Sequence, residues 1–353
     1  MPDSLEHLVG QLIIAGFRGK TVEEHSSIAK YIKTYNLAGV ILYDIDLEIG
    51  GENLTPGTRN IESPSQVKAL TSQLQNISKD TLLISIDQEG GDSSRLKSIY
   101  GFKEDTSWAH IGNLNSPILT KQFSKSMANT LFESGINLNF APVLDLDYGE
   151  GTIISTQRRA FSSDPDNIIK HARIFINAHK QKNIITCAKH FPGLGSASGD
   201  THEGLTDITD TWTVKDMIPF DKLIQSNDLD TVMVSHAFDK KLDPKYPSSL
   251  SQNIITKMLR NDLGFEGVVI CDDPSMRAIS DHYNLEETFK LMLDAGIDLF
   301  CLGNNLIYDP DYIPKSINSV CSLIASGKIK RTRIEQSIDK IKLLKSKYGI
   351  GKK

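Results

Sequence analysis

Short apolar runs punctuate this chain, and nearly all of them stop at a polar residue or a glycine. They fall at 12–16, 39–42, 82–86, 136–141, 184–188, 231–235, 267–271 and 297–302. Within each, apolar residues occupy consecutive positions, the pattern of strands buried on both faces. Between them, apolar residues recur at helical spacing over 67–77, 120–133, 167–180, 216–224, 254–263 and 286–295. Buried strands alternating with amphipathic helices predict a parallel sheet covered by helices. Eight such units suit an α/β, (β/α)8 TIM-like barrel better than an open doubly wound sheet, and no Gly-rich dinucleotide fingerprint follows the first run. Two more helical stretches, at about 314–326 and 332–348, close the chain. No linker, composition break or internal repeat divides it, so the expectation is a single domain over 1–353. The stretch 44–64, rich in Gly, Asn and Pro, reads as a long loop after the second strand.

Composition mainly excludes alternatives. The 353 residues suffice for one barrel, which typically needs about 250. The net charge of −5 argues against a nucleic-acid partner, which would present a basic face. The one basic stretch, 328–333, reads as a solvated helix end. No run approaches the ~18 apolar residues of a membrane span. The N-terminus carries Asp3 and Glu6 and no basic start, so it does not read as a signal peptide. The four cysteines, Cys187, Cys271, Cys301 and Cys321, show no CxxC spacing. Free thiols in a reducing, cytoplasmic setting are expected rather than disulfides or zinc ligands.

Candidate chemistry gathers just past the strand ends, where such a barrel carries its active site. Asp87 ends the third run and Arg95 follows eight residues later; Asp145 follows the fourth. Lys189, His190, Asp200 and His202 follow the fifth, Ser235 and His236 end the sixth, and Asp272 and Asp273 the seventh. Gly303 and Asn304 follow the eighth. Taken singly, an Asp at a strand end caps a helix, a lone His is structural and an Arg beside an Asp is an ion pair. On one shared rim they concentrate charge that partners or substrate must compensate.

The segments IDQEGG (86–91), NFAPVLD (139–145), AKHFPGLG with DTH (188–195, 200–202) and GFEGVVICDDPSM (264–276) occur in that order. With them the chain resembles glycoside hydrolase family 3, specifically its compact, NagZ-like β-N-acetylglucosaminidase (β-hexosaminidase) branch. The resemblance runs from VGQLIIAGFRG at 9–19 to RIEQSIDKIKLLK at 333–345. It implies a retaining hydrolase that removes β-linked N-acetylglucosamine, from peptidoglycan-derived fragments in this branch. It further implies that Asp272 is the nucleophile and that His202, oriented by Asp200, is the general acid and base. Substrate contacts carry over to Asp87, Arg95, Arg159, Lys189 and His190; the neighbouring Arg158 is the alternative to Arg159. The run 267–271 is apolar throughout, so alternation does not say whether Asp272 or Asp273 faces the interior. The resemblance assigns Asp272 and leaves Asp273 to cap a helix or hold the loop.

These roles make chemical sense. A retaining glycosidase needs an ionised carboxylate below the sugar and a proton donor at the leaving oxygen. Histidine, with a reference pKa of about 6.5, can donate and accept near neutrality. Gly193, Gly195 and Gly199 are expected to let the acid/base loop bend over substrate. Two positions depart from the family: Asp92 stands where Arg is common after the paired glycines, and Leu194 where His is common. Asp92 is expected to weaken or redirect contacts to an acidic aglycone. The resemblance implies no cofactor, and no HExxH-type spacing suggests a metal. A phosphorylase or β-glucosidase of the same family, or a non-catalytic sugar-binding protein, remains the alternative; oligomeric state is not legible.

Overall fold

The computed structural model describes residues 4–351, so Asp3 and the ends of the expected 1–353 domain lie outside the described residues. Eight parallel strands close a barrel in chain order: β1 (Ile13–Gly16), β2 (Gly39–Leu42), β3 (Leu83–Ile86), β4 (Leu138–Asn139), β5 (Ile185–Phe191), β6 (Thr231–Val234), β7 (Val268–Cys271) and β8 (Leu299–Leu302). β8 returns to β1, with Cys301 opposite Ile14. All eight strands fall on the expected runs. β4 is much shorter than 136–141, although backbone bonds continue past it, from Phe140 N to Ile86 O at 2.9 Å and from Cys187 N to Ala141 O at 3.0 Å. β5 is longer than expected and carries Lys189 and His190 within the strand itself.

The barrel has two apolar layers, and strand parity separates them. Ile14, Ile41, Leu83, Ile185, Val268, Ile270 and Leu299 belong to the cluster that fills the interior. Their alternating neighbours Ile13, Val40, Ile84, Val269 and Phe300 pack outward against the helices. Each fully buried Leu or Ile of this kind contributes about 1.5–3 kcal/mol. Period two then extends past the strand ends: positions 83 and 85 lead to Asp87, 185 and 187 to Lys189, and 268 and 270 to Asp272. Interior packing thereby brings those three polar side chains over the top of the barrel.

The covering helices start with caps that periodicity alone does not reveal. Pro64–Ile77, Pro117–Glu133 and Pro165–Lys180 begin three or two residues before the apolar pattern, at prolines behind Ser63, Ser116 and Asp164. Those side chains accept from free backbone N–H groups in the first turn, and proline at the first position needs no partner for its missing N–H. Ser27–Tyr35 and Trp108–Leu114, capped by Ser26 and Ser107, were not expected. The stretch expected as a helix at 254–263 forms a π-type helix, Asn253–Asp262.

The final helix, Arg331–Lys347, closes the barrel's lower end. Its Ile341 and Leu344, with Tyr348 and Ile350 beyond it, join the interior cluster. The basic stretch at its start is only partly solvated: Arg333 donates to the carbonyls of Leu293 and Ile297. All four cysteines are unpaired. Among the described residues no helix is long and apolar enough to cross a membrane.

Candidate active site

A cavity of about 610 Å³ opens at the C-terminal ends of the strands. Asp87, Arg95, Arg159, Lys189, His190, Asp200, His202 and Asp272, all eight expected site residues, line it. Of the adjacent pair, Arg159 lines the cavity; Arg158 turns away in a left-handed backbone conformation.

The floor is a network of alternating charge. Lys189 Nζ lies 2.8 Å from Asp87 Oδ1 and 2.7 Å from Glu89 Oε1. Arg159 meets Glu89 with two parallel bonds, Nε to Oε2 at 2.8 Å and Nη2 to Oε1 at 2.9 Å. Arg95 approaches Asp87 at 3.8 Å, and its Nε has no hydrogen-bond partner. Burial raises the pKa of Glu89, but Arg159 and Lys189 outweigh it and hold the carboxyl well below the usual range. Burial lowers that of Lys189, and Asp87 with Glu89 more than restores it. Glu89 and Lys189 therefore stay charged, and Lys189, Arg159 and Arg95 present donors to hydroxyl and carbonyl oxygens.

Glu89 was not foreseen, although it stands inside the IDQEGG segment: its pairing with Arg159 spans 70 residues and exists only once the barrel closes. Asp145 was recognised as a strand-end carboxylate without a role. It is fully buried, accepts from Leu194 N at 2.7 Å, and lies 2.6 Å from His190 Nδ1. Leu194 thus anchors the loop through its backbone while its side chain forms apolar cavity wall.

The two aspartates after β7 part company as parity requires. Asp272 is partly accessible and faces the cavity. Burial, the largest influence on its pKa, would raise it, but the His202 ring and the Lys189 ammonium help to hold it below the ordinary carboxylate value. Asp273 also borders the cavity, yet its oxygens are occupied, Oδ1 by Ser275 N at 2.9 Å and Oδ2 by Gly303 N at 3.0 Å. It holds the loop, as expected. Burial pushes its carboxyl up to about 6, with the Asp272 charge adding to the effect. His236 is structural, bonded to Ser249 Oγ at 2.7 Å and to the Asp273 carbonyl at 3.0 Å, and burial keeps its pKa low.

Over the cavity hangs the loop with Asp200 and His202. His202 Nδ1 lies 2.6 Å from Asp200 Oδ1, and the His202 side chain is 52% exposed. Burial opposes protonation of the ring, but the Asp200 bond and the Asp272 and Asp200 charges raise its pKa overall. The glycines of this loop differ in kind. A Cβ at Gly193 would lie 2.6 Å from that of Asp216, and one at Gly195 would lie 2.2 Å from Leu146 O. Both are close approaches that fix the loop's base; Gly193 also turns the chain, at φ +123°, whereas Gly195 is not a bend, which corrects the expectation for it, and only Gly199 has room. The 44–64 segment is likewise anchored: buried Arg59 ties Asp46 at 2.8 Å to Asn305 Oδ1 at 2.8 Å, and Leu54 forms cavity wall.

Comparison with known proteins shows the family to which the chain belongs. Residues 4–344 match the family described as glycosyl hydrolase family 3 N terminal domain. A beta-hexosaminidase of Hydrogenovibrio crunogenus is 32% identical over 315 residues, covering 85% of this chain and 82% of its own. A solved family 3 β-N-acetylglucosaminidase from Paenibacillus sp. superposes with a TM-score of 0.88 at 28% identity, over 99% of this chain. This chain spans 63% of that protein. A β-N-acetylhexosaminidase from Beutenbergia cavernae gives 0.83 at 25% identity, over 98% of each chain.

Proposed function

The chain belongs to glycosyl hydrolase family 3 and is a β-N-acetylhexosaminidase, and we propose that it releases terminal β-linked N-acetylglucosamine with retention, through an ester on Asp272. The observation that carries this reading is the pairing of two groups across one cavity. A carboxylate with a lowered pKa faces a half-exposed histidine whose pKa is raised. The first suits a nucleophile and the second a proton donor.

In the first step an Asp272 oxygen attacks the anomeric carbon while the glycosidic C–O bond breaks. His202 gives the departing oxygen its proton. With Nδ1 turned to Asp200, Nε2 is the nitrogen that carries it. In the second step the now neutral His202 takes a proton from water, which attacks the anomeric carbon and frees Asp272. Two inversions leave the product β. Lys189, Arg95, Arg159 and Asp87 surround the sugar and fix its orientation, with His190 in the cavity wall beside Arg159.

The natural substrates are peptidoglycan-derived saccharides in which the sugar is joined to N-acetylmuramic acid. The setting is the cytoplasm, where unpaired cysteines such as these persist. An assay on aryl β-N-acetylglucosaminide beside the aryl β-glucoside tests the reading. Much higher kcat/KM on the acetamido sugar, unchanged by added phosphate, is the expected result. Comparable values on both sugars revive the glucosidase alternative, and phosphate-dependent turnover the phosphorylase.

A further inference from the structure

Two Asp–His pairs of the same length present their histidines to this cavity, and their third partners differ. His202 Nδ1 sits 2.6 Å from Asp200, and the side chain is half open to solvent. His190 Nδ1 sits 2.6 Å from the buried Asp145, and its other nitrogen is taken: Nε2 lies 3.1 Å from Arg159 Nη2. A guanidinium nitrogen can only donate. The lone pair must therefore be on His190 Nε2 and the ring proton on Nδ1, where Asp145 accepts it. An imidazolium at this position would set two positively charged N–H donors against each other at 3.1 Å.

We propose that Asp145 and His190 are positioning residues that aim Arg159 at the substrate, with His190 locked in its Nδ1–H form. Arg159 Nη2 is then fully used, one hydrogen on Glu89 Oε1 at 2.9 Å and the other on His190. Nε is held by Glu89 Oε2 at 2.8 Å. Only Nη1 is left for a ligand, its one contact being Gln157 Oε1 at 3.4 Å. The chain Asp145–His190–Arg159–Glu89 thus selects which end of the guanidinium faces the sugar. It also separates the two histidines by task, His202 carrying protons and His190 transmitting orientation. Asp145 accepts from His190 N at 3.3 Å and Leu194 N at 2.7 Å as well, so the same carboxylate fixes the strand end and the ring.

The tautomer is read on the wild-type enzyme without substrate, from long-range ¹H–¹⁵N correlations of ¹⁵N-histidine-labelled protein at pH 7. His190 is expected as the neutral Nδ1–H ring; an Nε2–H or doubly protonated ring overturns the inference whatever the enzyme hydrolyses. The kinetic arm rests on the proposed reaction. Asp145→Asn offers Nδ1 an amide donor, drives the proton to Nε2 and turns it against Arg159. Its kcat/KM on the aryl N-acetylglucosaminide should fall about 10- to 100-fold, mostly in KM, as misplacement of a binding group does. In an Arg159→Gln background the same change should cost no more than about 2-fold, because the group being aimed is gone. Equal losses in both backgrounds would show a general structural role and contradict the proposal. Absence of any cleavage by the wild type would instead sink the proposed function, leaving the spectrum to decide the tautomer.

Discussion

One oxygen of Asp200 serves His202 twice: Oδ1 lies 2.6 Å from the ring Nδ1 and 2.9 Å from the backbone N. The carboxylate therefore fixes both the turn of the loop and the face of the imidazole. The same loop is pinned next to the nucleophile strand, where Thr201 O accepts from Ala278 N at 3.2 Å. A proton carrier on a loop is thus given one orientation by its own neighbour.

The pH profile follows from these shifts. His202 must be protonated to begin the reaction, and its pKa stands above the ordinary value. Its activity is thus present at lower pH and is lost as pH rises through that raised value. Asp272 must be ionised, so the acid limb falls below the ordinary carboxylate value. Replacing Asp200 with Asn removes a charge and a bond that raise the His202 pKa, and should move the basic limb of kcat/KM to lower pH. A basic limb that stays in place would assign it to another group.

His202→Ala should lose about 10²- to 10⁴-fold on disaccharides, whose leaving alcohols need a proton. In single-turnover experiments an aryl leaving group of low pKa should lose much less. Asp200→Ala should follow the same pattern more mildly. Equal losses for good and poor leaving groups would remove His202 as the donor.

Asp273→Ala should retain measurable activity and cost about 1–3 kcal/mol of stability, since the Ser275 and Gly303 amides lose their acceptor. Its carboxyl is pushed up to about 6 in the fold, against about 3.9 in an unfolded chain. A raised folded value contributes stability that is complete below the unfolded one and is lost as pH rises through the folded one. Urea melts should therefore show wild-type stability falling relative to Asp273→Asn from pH 4 to pH 7; a wild type that gains on the variant contradicts this.

Asp92 lies exposed on the cavity rim with no ion-pair partner among the described residues, unlike Asp44, which holds Lys97 at 2.7 Å. A negative leaving group feels that charge. At low salt, Asp92→Asn should raise kcat/KM on N-acetylmuramic-acid-linked substrate about 5-fold relative to the neutral chitobiose, the size of one pair of unit charges about 4 Å apart in water. In 1 M salt the difference should nearly vanish, because screening shortens to about 3 Å. An unchanged ratio would place the acidic group away from Asp92.

The eight strands were legible because burial on both faces leaves an unbroken apolar run. The helix starts were read late because Ser63–Pro64 and Ser116–Pro117 mark a cap rather than a period, and a cap signal was there to be used. At the site, single residues at strand ends were legible but their partners were not. Glu89 finds Arg159, and Asp145 finds His190, only across the closed barrel. Parity would have chosen between Asp272 and Asp273 had the sequence shown which face of β7 was interior. The run Val268–Cys271 is apolar on both faces, so that information appears only with the interior cluster of Val268 and Ile270.

The central claim is a covalent glycosyl ester on Asp272, and trapping it is the most direct measurement. A 5-fluoro N-acetylglucosaminyl donor slows breakdown of the intermediate, so the labelled enzyme can be digested and mapped by mass spectrometry. The label is expected on Asp272, absent from Asp272→Ala, with proton NMR of unlabelled turnover showing the β anomer released first. A label on Asp273, or an α anomer as the first product, would contradict the mechanism.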